Sequence, residues 1–92
     1  MQVLDESKIN QKISSLKGWE YKNNQIVKEY ELKDFKEALN FVNKVGGRAE
    51  EMDHHPDIYL HDWNKVKITV STHSAGGVTE NDFKLAEKIE KI

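Results

Sequence analysis

The sequence predicts an α+β fold of two layers, an antiparallel four-stranded sheet with helices on one face. Two observations carry that expectation. Three segments repeat apolar residues every three or four positions, as amphipathic helices do, and the two stretches between them alternate polar and apolar residues around short polar turns. The order is helix, hairpin, helix, hairpin, helix.

In DESKINQKISSL, Ile9, Ile13 and Leu16 recur at helical spacing behind a cap at Asp5 or Ser7, and Gly18 is the expected stop. GWEYKNNQIVKEYEL then reads as a hairpin about Asn23 and Asn24, with Trp19 and Tyr21 on one face. KDFKEALNFVNKVGGRAEEMD aligns Phe35, Ala38, Leu39, Val42, Val45, Ala49 and Met52 as the stripe of a long helix reaching about Asp53. Gly46 and Gly47 each cost about 1 kcal/mol relative to Ala in such a helix, which predicts a close packing contact or a bend there. Pro56 should end the helix, because the residue before proline is pushed out of the helical region. DIYLH and KVKITVST form the second hairpin around Asp62, Trp63 and Asn64, with Val66, Ile68 and Val70 on one side and Lys65, Lys67 and Thr69 on the other. Beyond SAGGV, Thr79 caps a last helix. Thr79 and Asp82 stand three apart, close to a capping box, and Phe83, Ala86, Ile89 and Ile92 line one face.

Composition limits the chemistry. Ninety-two residues without a Gly/Ser/Pro-rich linker read as one domain, 1–92, and 37% hydrophobic against 33% charged residues suits a small globular core with a solvated surface. The absence of cysteine excludes disulfides, thiolate metal sites and cysteine nucleophiles. With 14 basic residues scattered among 16 acidic ones, no footprint for nucleic acid is present. No apolar run is long enough to cross a bilayer and the opening MQVLDESKINQK lacks a secretion-signal pattern, so the expected location is the cytoplasm, away from membranes.

The stretch EEMDHHPDIYLHDW holds three of the four histidines. His54 and His55 fall at the entrance of the third strand and His73 at the exit of the fourth, and the two ends of an antiparallel hairpin are neighbours. The topology therefore converges His54, His55 and His73, with Glu50 one helical turn before His54. Acid–base chemistry and a metal site compete for this cluster. A zinc site from the histidines with Asp53 or Glu50 is weakened by the absence of an HExxH pair and because adjacent histidines in extended backbone point to opposite sides. The plainer reading is a solvated helix end. His61 lies outside the cluster and reads as a surface turn residue, and Trp19 and Trp63 as core or rim aromatics.

The wider pattern tips the balance. Glu50, three residues, His54-His55-Pro56, six residues, Trp63, nine residues, His73, eight residues and Asp82 together resemble the signature of the pterin-4a-carbinolamine dehydratases. GWEY, KDFKEALNFVNKV, NKVKITVSTHSAGGVTENDF and LAEKIE are similar to that family as well, so the likeness covers nearly the whole chain. The DIYLHDWN turn is one residue longer than in animal members. The resemblance implies a lyase that removes water from 4a-hydroxytetrahydropterin, including 4a-hydroxytetrahydrobiopterin, to give the quinonoid dihydropterin, with no cofactor and no metal. It implies His54 and His73 as acid–base groups, His55 as a substrate ligand and Glu50 as the carboxylate that orients the histidines. Peptide groups of His54, His55 and Pro56 and of Thr72, His73, Ser74 and Ala75 would line the pterin's polar edge. Trp19 would wall the ring, and Asp82 would support the site from behind.

Family members form dimers by continuing the sheet across a twofold axis, and some pair those dimers through helices. Val27, Trp19 or Tyr21 and the helix faces also exceed what a lone core of this size needs, which predicts a homodimer or homotetramer. The implied partners are the pterin substrate and, functionally, an aromatic amino acid hydroxylase. The competing reading from another class is a protein-interaction module, since animal members also serve a homeodomain transcription factor as dimerisation cofactors.

Overall fold

A computed structural model describes residues 2–92. Its elements are α1 (Glu6–Ile13), β1 (Glu20–Lys22), β2 (Gln25–Glu31), α2 (Phe35–Met52), β3 (Asp57–His61), β4 (Lys65–Val70), a 3-10 turn (His73–Ala75) and α3 (Glu80–Glu90). The four strands form one antiparallel sheet in the order β1-β2-β4-β3, so the α+β class and the element order are those the sequence predicts.

Local chemistry explains the boundaries. Asp5 caps α1, its carboxylate accepting the Lys8 N–H at 2.8 Å, and Asp34 caps α2 through the Glu37 N–H at 2.9 Å. The first hairpin turns at Asn23 and Asn24, whose φ values of 54° and 61° lie in the left-handed region that asparagine tolerates. Asp62 and Trp63 turn the second hairpin at φ 47° and 58°. Asn64 fastens that turn to Leu32, whose carbonyl accepts the Asn64 side-chain amide at 3.0 Å and whose N–H donates to the Asn64 carbonyl at 2.8 Å.

Val66, Ile68 and Val70 of β4 point to the covered face and are fully buried, as the alternation predicts. They pack with Ile26, with Ala38 and Val45 of α2, and with Phe83, Leu85, Ala86 and Ile89 of α3. Burying each of the larger side chains contributes about 1.5–3 kcal/mol.

Three expectations change. First, α2 runs unbroken through Gly46 and Gly47, and a Cβ on either would meet nothing within 4 Å, so neither a close contact nor a bend explains them. Gly46→Ala and Gly47→Ala should each raise the stability of the protein, by about 1 kcal/mol in urea titrations; a loss would show that another surface covers this face. Second, α2 ends before Pro56 acts. Asp53 takes a left-handed conformation at φ 50° and the His54 N–H turns back to the Ala49 carbonyl at 3.1 Å. Third, only part of the apolar surface expected to exceed the core is exposed, namely the helix face and not the first hairpin. Trp19 and Val27 are buried within the chain, whereas Phe35 and Leu39 on α2 and Tyr59 and Trp63 on β3 and its turn are exposed.

Trp19 belongs to a polar cluster at the C-terminal end of α3. The Glu90 carboxylate accepts hydrogen bonds from the Trp19 indole at 3.3 Å, from Lys28 at 2.9 Å and from the Tyr30 hydroxyl. Burial, then the bond to Glu90 and its charge, push the Tyr30 phenol well above its ordinary value. Burial alone would raise Glu90, but the hydroxyl of Tyr30, the ammonium of Lys28 and the indole outweigh it and hold the carboxyl below 4.5. A carboxylate depressed in the folded state contributes stability that is whole above its unfolded pKa and is lost as pH falls through the folded one. Stability should therefore decline below about pH 4.5. Glu90→Gln should flatten part of that decline in denaturation curves taken at successive pH values, and an unchanged slope would remove Glu90 from the cause.

Candidate active site

The α2–β3 junction, the loop after β4 and the start of α3 meet at one buried carboxylate. β4 leaves the sheet at Val70, and Thr72 closes a tight loop by pairing with Gly77, its N–H donating to the Gly77 carbonyl at 2.9 Å. Within that loop the Ala75 and Gly76 N–H groups fold back onto the Thr72 carbonyl at 3.0 and 2.9 Å, and Gly76 supplies the left-handed turn at φ 79°. This geometry turns the Thr72 hydroxyl inward.

Asp82, in the first turn of α3, has no exposed surface. One of its oxygens accepts the Thr72 hydroxyl at 2.9 Å and the Thr79 N–H at 2.7 Å, and the other meets Nε2 of His54 at 2.5 Å. The Thr79 hydroxyl lies 2.8 Å from that of Thr72. Every oxygen in this knot has a partner, as a buried carboxylate requires. The His54 side chain keeps 12% of its surface exposed, so one edge of the ring is held and the other is reachable.

His55 faces the other way, as alternation in extended backbone demands. Its Nε2 meets the Glu50 carboxylate at 2.5 Å, and both side chains are more than half exposed. Glu50 therefore orients His55 and does not touch His54, which narrows its expected role. His73 opens the 3-10 turn directly after Thr72, is exposed, and its ring has no hydrogen bond among the described residues.

The HHP and THSA segments sit at one end of the β3–β4 hairpin, where Asp57 pairs with Thr69, and Asp82 ties them together through His54 and Thr72. Pro56, Ser74 and Ala75 lie in these segments. Trp19 does not. It binds Glu90, eight residues along α3 from Asp82, or about 12 Å at the rise of an α-helix, and its buried ring is spent on the core. Trp19 is therefore a core residue and not the wall of a substrate pocket at the histidines, contrary to what the resemblance implied. His61 ends β3 at the far end of the hairpin, between Glu29 at 3.1 Å and Asp62 at 3.2 Å and stacked on Tyr59. It is half-buried and held between two carboxylates where the sequence suggested a bare surface turn. A cleft of about 350 Å³ between α1 and α3, lined by Lys8, Gln11, Lys12, Ser15 and Glu80, contains none of the histidines. Among the described residues no group of three His, Cys, Asp or Glu side chains could hold a metal ion.

What the sequence undervalued is Asp82 with Thr79. A carboxylate in a first helical turn is favoured by the helix dipole whatever else it does, so its type and position carried no sign of burial. The signal was its place in the spaced pattern with Glu50, His54 and His73.

Imidazoles braced by carboxylates at the end of a two-layer α+β sheet have the chemistry that proton transfer needs. The comparisons name the family. A profile described as "Pterin 4 alpha carbinolamine dehydratase" matches residues 2–92, and the chain belongs to that family of hydro-lyases. A relative from Sulfolobus acidocaldarius, provisionally named a pterin-4-alpha-carbinolamine dehydratase, is 48% identical over 89 residues, covering 97% of each chain. One from Sulfurisphaera tokodaii, named in the same way, is 45% identical over 92 residues, covering 100% of this chain and 98% of the relative. A crystal structure of a transcriptional coactivator/pterin dehydratase from Brucella melitensis superposes with a TM-score of 0.92 at 36% identity, covering 98% of this chain and 97% of that one. A pterin dehydratase-like RuBisCO assembly factor of the alpha-carboxysome, at 19% identity and a TM-score of 0.63, shares the fold alone.

Proposed function

We propose that this protein dehydrates 4a-hydroxytetrahydropterins, 4a-hydroxytetrahydrobiopterin among them, by histidine acid–base catalysis. The observation that carries the reading is the Asp82 knot, which holds His54 beside the loop that bears His73. In the reaction the N5 lone pair expels the 4a-oxygen as the C4a–O bond breaks. One imidazole protonates that oxygen so that it leaves as water, and the other accepts the proton left on N5 as the C4a–N5 double bond forms. Histidine suits both halves because its ordinary pKa is near 6.5. His55, oriented by Glu50, and the peptide groups of His54, His55 and Pro56 and of Thr72 to Ala75 bind the pterin's polar edge. The same proposal has the enzyme recycling the pterin of an aromatic amino acid hydroxylase in the cytoplasm.

The test is to generate the 4a-hydroxypterin in situ and follow formation of the quinonoid product. A rate no faster than the spontaneous reaction would sink the proposal. Because His54 and His73 must hold opposite protonation states, the catalysed rate should be bell-shaped in pH with limbs near neutrality, belonging to the pair and not to either ring.

A homo-oligomer is part of this reading. It is supported by β3, an edge strand with a free side, and by Phe35 and Leu39, which are 50% and 43% exposed on α2. Light scattering across a dilution series decides it, and a monomer at micromolar concentration with full activity would show the contact to be dispensable.

A further inference from the structure

We infer that the buried hydroxyl pair Thr72–Thr79 is a positioning pair which, acting through Asp82, locks a proton on Nε2 of His54 and leaves Nδ1 as the atom that exchanges a proton with the substrate. The inference rests on the proposed function for its catalytic half only. Its structural half follows from donor and acceptor bookkeeping.

An ionised carboxylate only accepts hydrogen bonds. Thr72 has one hydroxyl proton, and at 2.9 Å from Asp82 it gives that proton to the carboxylate. The 2.8 Å contact between the two hydroxyls then has one polarity, with Thr79 donating and Thr72 accepting. The chain runs Thr79 to Thr72 to Asp82, and each bond polarises the next. The Thr79 N–H adds a further donor to the same oxygen at 2.7 Å. One Asp82 oxygen is thus supplied by two donors, the arrangement that a carboxylate accepts. Its second oxygen can then only accept from His54, so Nε2 carries hydrogen at the 2.5 Å contact.

The neutral ring therefore has its lone pair on Nδ1. That atom has no hydrogen bond among the described residues, and among them no buried side-chain nitrogen or oxygen lacks a partner, so Nδ1 reaches the surface. His54 enters turnover as the base that takes the N5 proton, which leaves His73, exposed and without a carboxylate partner among the described residues, to protonate the departing oxygen. Were the hydroxyl chain broken, Asp82 could take up a proton from solvent and donate a hydrogen bond through it to a bare Nε2, while the ring's own hydrogen moves to Nδ1, which then cannot accept.

The test uses the full-length protein labelled with ¹⁵N at histidine, with the His54 ring signals assigned by their loss in His54→Gln. Wild type should show Nε2–H and an unprotonated Nδ1 above the ring's titration. Thr72→Val should populate the Nδ1–H form, lower kcat about 10-fold with KM within about 2-fold, and move the acid limb of the pH–rate profile to higher pH, because a less supported Asp82 carboxylate holds a proton on the pair more tightly. Thr72→Ser, which keeps the hydroxyl, should restore all three. Should Thr72→Val fail to fold, Thr79→Ala retains the backbone donor and should produce the same changes in smaller measure. An Nδ1–H ring in the wild type, or a folded Thr72→Val or Thr79→Ala protein with unchanged tautomer and unchanged limb, overturns the inference. The NMR readout needs no turnover, so a locked tautomer in a protein without dehydratase rate would uphold the lock and sink the proposed function.

Discussion

His54→Ala is expected to lower the catalysed dehydration rate by about 10²–10⁴-fold, the range that one positioned acid or base contributes. In the proposed mechanism the imidazole transfers a proton while His55 and the loop peptides bind the substrate, so the effect should fall on kcat. His61→Ala is the matched control. It removes an imidazole of the same chemistry at the far end of the hairpin, paired with Glu29 and Asp62, and should leave the rate within about 2-fold, as expected for a group remote from the reacting atoms. Equal losses in both variants, measured with in situ substrate, would show that the histidines matter for folding and not for chemistry.

Asp82→Ala should cause the largest loss of stability that a single polar substitution can produce here. Removal of the carboxylate strands three donors, the Thr72 hydroxyl, the Thr79 N–H and His54 Nε2–H, in a buried pocket. Leaving one buried donor unsatisfied costs about 1–3 kcal/mol, and the hydroxyl and ring can partly reorient, so a total of about 3–5 kcal/mol is expected. Against a typical 5–15 kcal/mol for a domain this is a large fraction, and the melting temperature should drop by more than about 10 °C. Asp82→Asn keeps the volume but offers an amide with its own donors, so it should lose less. A melting temperature within about 2 °C of wild type for Asp82→Ala would mean that water fills the knot.

The sheet was legible because its signals are local. Val66, Ile68 and Val70 announce a buried face by period two, and Asn23 with Asn24 announces a left-handed turn by residue type. The site was legible through spacing, since the hairpin brings its two ends together once the strands are assigned. What stayed hidden depends on long-range partners. Nothing near Trp19 in the chain says that its indole faces Glu90, 71 residues away, and nothing near Asp82 says that it lies under His54. Glu50, expected to orient the histidines, meets only His55, which faces back along α2 after the left-handed Asp53. Gly46 and Gly47 remain without a structural reason within the chain.

α3 is held by side chains at both ends, at Asp82 by the knot and at Glu90 by the Trp19, Lys28 and Tyr30 cluster, with Phe83, Leu85, Ala86 and Ile89 buried between. A helix clamped in this way has no frayed terminus from which to open, so its central amides should exchange with solvent only when the whole molecule unfolds. His54 hangs from the same helix. Partial unfolding that spares the sheet but frees α3 would release the imidazole, so the chemically competent state and the globally folded state should be one cooperative unit, lost at a single denaturant midpoint whether rate or α3 amide protection is followed.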